Sequence, residues 1–476
     1  MEMSGHLSNM RFAIKKLGTV ATGELTLKPL TLLCGGNNTG KTWAMYAMYG
    51  FLQQLPISVL NPEQLGLAEW DQKLHADGAI SFDLAAWVQQ YRTQIIQTLH
   101  GAMKLRLPEI FSGNPALFEQ SAFEWMGDID EMLASAIVRP ILFNLDLGNQ
   151  GKAFLKIHKA AQEPIITVTL SEPALHDSAN YLANTLLAHL VQKEEYKNVF
   201  LLPAERNGLH LFFHELRNQR SARLHQKSNQ ELPVSAYAEP IRKYIDWLNN
   251  LGRFEATGVH ALRKISQLGQ PGLGAQAAGL NLLEQIADDV KNMTGGKYAV
   301  DGEGNISFTP LHDASVGAAP VLDLHLTSST VKSLFGLWYF LKHDAEPGDI
   351  LMIDEPELNL HPANQRLLAR ILVRLVNAGL HVVCSTHSDY IVREINSLIL
   401  LASPHPQRAA LMTKYGFAET ETLQMNDVHA WYFGDNTISP MTIKQDEGIV
   451  ASTFDQVIKQ LNESSDDIYY TYRDEV

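Results

Sequence analysis

Apolar and polar positions change period several times along the chain, and each change marks an element. From Arg11 to Cys34 the apolar residues fall in short runs: Phe12, Ile14 and Leu17, then Leu25 and Leu27, then Leu30, Leu32 and Leu33 leading into Gly35–Gly36. Such runs ending in glycine predict strands that feed a turn. From Thr42 to Leu55 the spacing becomes helical, with Met45, Met48, Tyr49 and Leu52 on one face. Residues from about 60 to 135 read mostly as amphipathic helical pieces, broken at Pro108 and Pro115.

Strand periodicity returns at Ile141–Leu147, Ala153–Ile157 and Ile165–Leu170, with turn chemistry at Gly148–Asn149–Gln150–Gly151, which predicts antiparallel pairing. A helix is expected around Ala179–Gln192, a strand at Asn198–Leu202 and helical structure from about 205 to 293. Tyr298–Val300 and Ile306–Phe308 flank a hairpin turn. Then follow a helix at Leu334–Leu341, a buried strand at Ile350–Ile353, a helix at Pro362–Asn377 and a short strand at Val382–Cys384. The chain closes with a hairpin around Gly434–Asp435–Asn436 and an amphipathic helix carrying Phe454, Val457, Ile458 and Leu461.

The chain has 476 residues, 45% hydrophobic and 19% charged, which is globular composition with ample length for a large core. Its net charge of −14 argues against indiscriminate coating of nucleic acid. Two cysteines, Cys34 and Cys384, exclude a disulfide-stapled framework and read as small buried hydrophobes. Neither a secretory h-region nor a spanning run of roughly 20 apolar residues is seen, so a cytoplasmic protein is expected.

Gly35-Gly36-Asn37-Asn38-Thr39-Gly40-Lys41-Thr42 matches G-x-x-x-x-G-K-[ST] at every fixed position, between a predicted strand and a predicted helix. Glycines let backbone N–H groups turn inward around phosphate oxygens, and the helix N-terminus adds positive potential. In that setting Lys41 reaches the β- and γ-phosphates of ATP and Thr42 ligates Mg2+.

Ile350–Ile353 is an apolar strand that ends in Asp354 and Glu355. Ligands of open α/β sheets bind beyond the carboxyl ends of strands, so both acids point to the nucleotide. Asp354 is then the metal-side carboxylate, and Glu355 the group that polarises the attacking water. His387 ends the strand that follows and is a candidate γ-phosphate sensor. Ser328 and Ser329 precede a helix, where they are either ordinary N-caps or a second anion site.

These pieces, in this order, resemble ABC-type ATPases of the RecF/SMC/Rad50 kind. More narrowly they are similar to the AAA15 ATPases of bacterial defence islands, and among those to the ATPases of PARIS anti-phage systems. The likeness is carried by the phosphate loop, Leu202-Pro203-Ala204-Glu205-Arg206, Thr327-Ser328-Ser329, Asp354-Glu355-Pro356-Glu357-Leu358-Asn359-Leu360-His361-Pro362 and Ser385-Thr386-His387-Ser388. The closing run Glu447-Gly448-Ile449, with Asp455 to Asp467 behind it, adds to it.

The resemblance implies an α/β fold: an ABC-type head, that is, a P-loop NTPase with a mixed sheet core and an antiparallel β lobe, interrupted by helical insertions. Residues 1–205 would form the N-terminal part of the head, with an insertion at about 56–135; 206–295 a helical insertion; 296–445 the C-terminal part; 446–476 a C-terminal helix and tail. It further implies that two heads sandwich two ATP molecules. Ser328 and Ser329 of one head would then meet the γ-phosphate held by the other, with Asn359 in the loop that crosses between them. Thr330 stands where the family usually has glycine, and its Cβ limits close backbone approach to a phosphate. Slow or conditional hydrolysis would follow. The implied partners are further copies of the chain, a separate Toprim-type nuclease of the AriB kind, and a phage-encoded trigger such as a DNA-mimicking anti-restriction protein.

Two other classes share the motifs. A nuclease with a built-in ATPase head, of the overcoming-lysogenization-defect family, carries a Toprim domain with a D-x-D pair after the head. Only 476 − 387 = 89 residues follow His387 and none forms that pair; Asp128–Ile129–Asp130 lies upstream in a helical stretch. A RecF- or SMC-like repair ATPase would favour a long heptad insertion, and Gly252, Gly258, Pro271, Gly272 and Gly274 break one here. Arg217, Arg220, Arg223 and Lys227, with His214 and His225, form one basic cluster, either a solvated helix face or a docking patch for an acidic partner.

Overall fold

The computed structural model describes residues 10–53, 62–145, 155–171, 178–191, 198–212, 215, 237–252, 274–311, 319–450 and 452–473. The basic cluster and the 148–151 turn lie outside these residues.

Strands β1 (Arg11–Leu17), β2 (Val20–Thr26) and β3 (Leu30–Gly35) lead to helix α1 (Lys41–Gln53). Next come α2 (Leu67–Asp77), β4 (Ala79–Asp83), α3 (Leu84–Phe111), β5 (Ala122–Trp125) and α4 (Ile129–Val138). After β6 (Ile141–Leu145), β7 (Leu155–Lys159) and β8 (Ile165–Leu170) the chain forms α5 (Ser178–Val191) and β9 (Val199–Leu202). Helices α6 (Glu239–Leu248) and α7 (Gly274–Thr294) precede β10 (Gly296–Val300), β11 (Ile306–Pro310) and β12 (Leu322–Asp323). Then follow α8 (Ser329–His343), β13 (Ile350–Ile353), α9 (Pro362–Asn377), β14 (His381–Thr386), α10 (Asp389–Leu401) and α11 (Arg408–Tyr415). Strands β15 (Val428–Gly434) and β16 (Thr437–Pro440) and helix α12 (Ser452–Arg473) end the chain.

A nine-stranded mixed sheet in the order β5-β1-β2-β16-β15-β3-β14-β13-β9 is the frame of the molecule. Its β15-β3-β14-β13-β9 portion is parallel throughout. The β5-β1-β2 arm is antiparallel. A separate four-stranded sheet, β4-β8-β7-β6, is antiparallel throughout.

Alternation along the parallel strands separates the core into two clusters. Leu33, Ile350, Met352 and Val383 face α1, whereas Leu32, Cys34, Leu351, Ile353, Val382 and Cys384 face the α8, α9 and α10 side. Both faces are covered, which is why these strands read as continuous apolar runs. Among the described residues no helix is long and apolar enough to cross a membrane.

Two strands correct the helical reading of 60–135. The four-residue β5 is too short to show a period, and it forms because β1 lies ready beside it: Phe12 pairs with Trp125, and the Phe12 and Phe123 rings stack at 4.9 Å. β4 forms on the edge of the four-stranded sheet, where it pairs with β8. Asp128 stands at the start of a helix. It caps α4 by accepting from Asp130 N, and Asp130 takes an ion pair from Arg92 at 2.6 Å. The hairpin that the sequence predicts around Gly434–Asp435–Asn436 is present, and the structure adds its turn type: Asp435 and Asn436 are both left-handed, with φ of 50° and 58°.

Candidate functional site: a phosphate loop facing a carboxylate turn

The loop between β3 and α1 bends at two glycines. Gly40 has φ 101°, and a Cβ there would stand 2.5 Å from Val20 Cγ2. A Cβ on Gly35 would meet the Phe433 carbonyl oxygen at 2.4 Å. Asn38 takes φ 60°, and Thr39 Oγ1 donates to Gly36 O at 3.0 Å, closing the loop on itself. Lys41 is buried, and its Nζ donates to Gly35 O at 3.0 Å and Gly36 O at 2.6 Å. Burial lowers its pKa, while the carboxylates of Glu355, Asp354 and Glu357 act in the opposite direction.

At the end of β13, Asp354 is 1% exposed. Its Oδ2 accepts from Thr42 Oγ1 at 2.9 Å and its Oδ1 from Ser385 Oγ at 2.5 Å. Burial raises the Asp354 pKa against the pull of those two hydroxyls. Glu355 follows in left-handed backbone, φ 48°, with its N–H donating to Ser385 Oγ at 2.9 Å. His387 Nδ1 lies 3.8 Å from Glu355 Oε1 and 3.3 Å from Glu357 Oε1. The buried Glu357 Oε1 also accepts from Thr386 Oγ1 at 2.8 Å and His387 N at 2.7 Å.

The ends of β3, β13 and β14 therefore bring Lys41, Thr42, Asp354, Glu355 and His387 to one place. Hard oxygen donors from Thr42 and Asp354 suit Mg2+, and a buried carboxylate whose pKa is already raised is suited to a cation beside it. Ser328 and Ser329 start α8. Ser328 is its N-cap, accepting from Val331 N at 3.3 Å. That helix is tied to the turn after Glu355: Thr330 Oγ1 donates to Asn359 O and Ser333 Oγ to Leu358 O, each at 3.0 Å.

Sequence reading assigned no role to Ser385, which bridges Asp354 and Glu355, nor to Arg206, whose guanidinium reaches the same turn. A polar residue at the end of an apolar strand was the available signal for Ser385. Cys34 and Cys384 are both buried, as expected, and burial, with Glu357 adding to it, pushes the Cys34 thiol up to about 12.

A family model described as "AAA domain, putative AbiEii toxin, Type IV TA system" matches residues 207–393. That span holds Ser328, Asp354, Glu355 and His387 and leaves the phosphate loop outside it. No curated protein matches the chain. Among solved structures, the Smc head domain with an extended coiled coil bound to the C-terminal domain of ScpA, from Pyrococcus furiosus, is 11% identical, with 96% of this chain and 99% of that one covered and a TM-score of 0.33. The SMC head domain from Thermotoga maritima is 8% identical, covering 91% and 98%, with a TM-score of 0.28. Scores that low carry no weight for the fold, which rests on the strand order. The phosphate loop and the carboxylate turn are those of an ATPase, and residues 207–393 are similar to the AAA domain of the matched family.

Proposed function

We propose that this chain is the ATP-hydrolysing sensor and scaffold subunit of a cytoplasmic anti-phage defence complex. Its heads associate on ATP and control a nuclease supplied by a separate chain. The observation that carries the ATPase part is the bond between Thr42 and Asp354, with Glu355 next in the chain and His387 facing it.

In this reading Gly35, Asn37, Asn38, Thr39 and Gly40 wrap the phosphates, and Lys41 neutralises the β- and γ-oxygens. Thr42 and Asp354 hold Mg2+, which when bound draws charge from the phosphate oxygens. Glu355 takes a proton from the attacking water, and His387 contacts the γ-phosphate. Ser328 and Ser329 contact ATP held by a second copy, which links association to nucleotide.

The wider role follows the motif resemblance, including the likeness to AriA, the ATPase of PARIS systems. The matched family's description names a toxin of a toxin–antitoxin system, in keeping with a chain that works with a separate component. The effector would be a Toprim-type nuclease of the AriB kind, and the trigger a phage protein such as a DNA-mimicking anti-restriction protein, with Arg220 and Arg223 as one place for it to dock.

Glu355→Gln tests the core of this reading. The variant should bind ATP, hydrolyse it at least about 100-fold more slowly and accumulate as a larger species on size exclusion with ATP. Wild-type turnover would remove Glu355 as the base. For the wider role, co-expression with a Toprim nuclease should give a stable complex that falls apart on adding the trigger; free nuclease from the start would discard effector control.

A further inference from the structure

Arg206 is 2% exposed, and its described hydrogen bonds end on backbone carbonyls. Nη1 donates to Pro203 O at 3.1 Å and Asp354 O at 2.8 Å, Nη2 to Glu355 O at 2.8 Å, and Nε to Ser333 O at 3.2 Å. Four carbonyls from three stretches of chain thus meet one guanidinium. Burying a cation is costly, and an apolar side chain of similar length would fill the space without that cost. What an apolar chain cannot supply is a rigid fork of donors with fixed directions.

The turn it grips is an unusual one. Glu355 carries a Cβ in left-handed backbone, φ 48°, a conformation that persists when its surroundings over-determine it. Ser385 holds the Glu355 N–H and Arg206 holds the Glu355 carbonyl, so both ends of the residue are tethered by side chains. On the far side, Ser333 and Thr330 of α8 are bonded to Leu358 O and Asn359 O of the same turn. Helix α8 and the carboxylate turn are therefore joined at three points, and Arg206 is the joint nearest Glu355.

We propose that Arg206 is a positioning residue for ATP hydrolysis. By pinning the Asp354 and Glu355 carbonyls against α8, it aims the Glu355 carboxylate at the attacking water. A shift of α8, whose N-terminus carries Ser328 and Ser329, is thereby passed to Glu355. The inference rests on the proposal that Glu355 is the base.

The test uses the full chain, with steady-state MgATP hydrolysis and binding of a fluorescent ATP analogue. Arg206→Lys keeps the charge and loses the fork. It should lower kcat at least about 30-fold while KM and nucleotide affinity stay within about threefold. In a Glu355→Gln background the same substitution should slow turnover less than about twofold further, because both act through one carboxylate. Turnover by Arg206→Lys within about threefold of wild type overturns the proposal, as does a loss that multiplies in full in the double variant. Arg206→Met, which fills the space without a charge, repeats the test if the lysine variant is unfolded by circular dichroism; unfolding of both makes Arg206 a fold residue and overturns the proposal. Wild-type turnover by Glu355→Gln alone marks failure of the base assignment instead.

Discussion

The Thr42 hydroxyl donates to Asp354 Oδ2 at 2.9 Å, joining the first turn of α1 to the end of β13. With the Ser385 hydroxyl on its other oxygen, the Asp354 carboxylate is held in one orientation beside Thr42, where the proposed Mg2+ would lie. Asp354→Asn keeps the shape and removes the charge. It should lower MgATP turnover about 100-fold or more and leave nucleotide binding in EDTA within a few-fold. Phosphate release measured across a Mg2+ titration checks this, and a wild-type Mg2+ response in the variant would refute the metal role.

Gly40 offers a steric test of the loop. Its φ of 101° lies where side chains are strained, and an added Cβ would stand 2.5 Å from Val20 Cγ2 and 3.0 Å from Thr19 Oγ1. Gly40→Ala should cost about 1–3 kcal/mol of stability and weaken ATP binding at least about tenfold. A urea midpoint and an ATP titration measure the two, and wild-type values in both would mean that the loop adapts.

What the sequence shows, and what it hides, divides along physical lines. Gly35 to Thr42 and Ile350 to Glu355 are legible because each residue type there answers a local demand: positive φ, a buried strand face, a charge at a strand end. The β5 strand is not, because it owes its existence to β1, more than a hundred positions away. Ser328 reads equally as a cap or an anion ligand, and the structure supplies the cap without removing the second use. Arg206 is visible as part of a motif, yet its partners are backbone carbonyls, and no sequence letter marks a carbonyl.

His387 stands between two carboxylates, with Nδ1 3.3 Å from Glu357 Oε1 and 3.8 Å from Glu355 Oε1. Glu357 is itself fixed by Thr386 and the His387 N–H, and the ring lies beside Glu355, the proposed base. His387→Ala should therefore lower kcat about 10- to 100-fold with ATP affinity within a few-fold. Single-turnover hydrolysis separates the two quantities. A loss confined to affinity would reassign the ring to nucleotide binding.

His210 makes stability depend on pH. Its ring is 2% exposed, with Nδ1 2.7 Å from Lys332 O and Nε2 2.7 Å from Tyr244 Oη. The neutral ring satisfies both contacts, Nδ1–H donating to the carbonyl and Nε2 accepting from the phenol. Burial pushes its pKa from 6.5 to about 3; the bond to Lys332 O opposes the shift and the Arg206 charge adds to it. Between those values the unfolded chain carries a proton that the folded chain refuses. Stability from this group is thus complete above about pH 6.5 and falls as pH drops below it, by up to roughly 1.4 kcal/mol per unit. His210→Gln removes the titration, and comparison with wild type cancels every other group. Urea unfolding at pH 7 and pH 5 should show the wild-type advantage shrinking by about 2 kcal/mol at the lower pH. An advantage equal at both would mean that the folded ring takes up its proton as readily as the unfolded one, with Tyr244 turned to accept from Nε2–H.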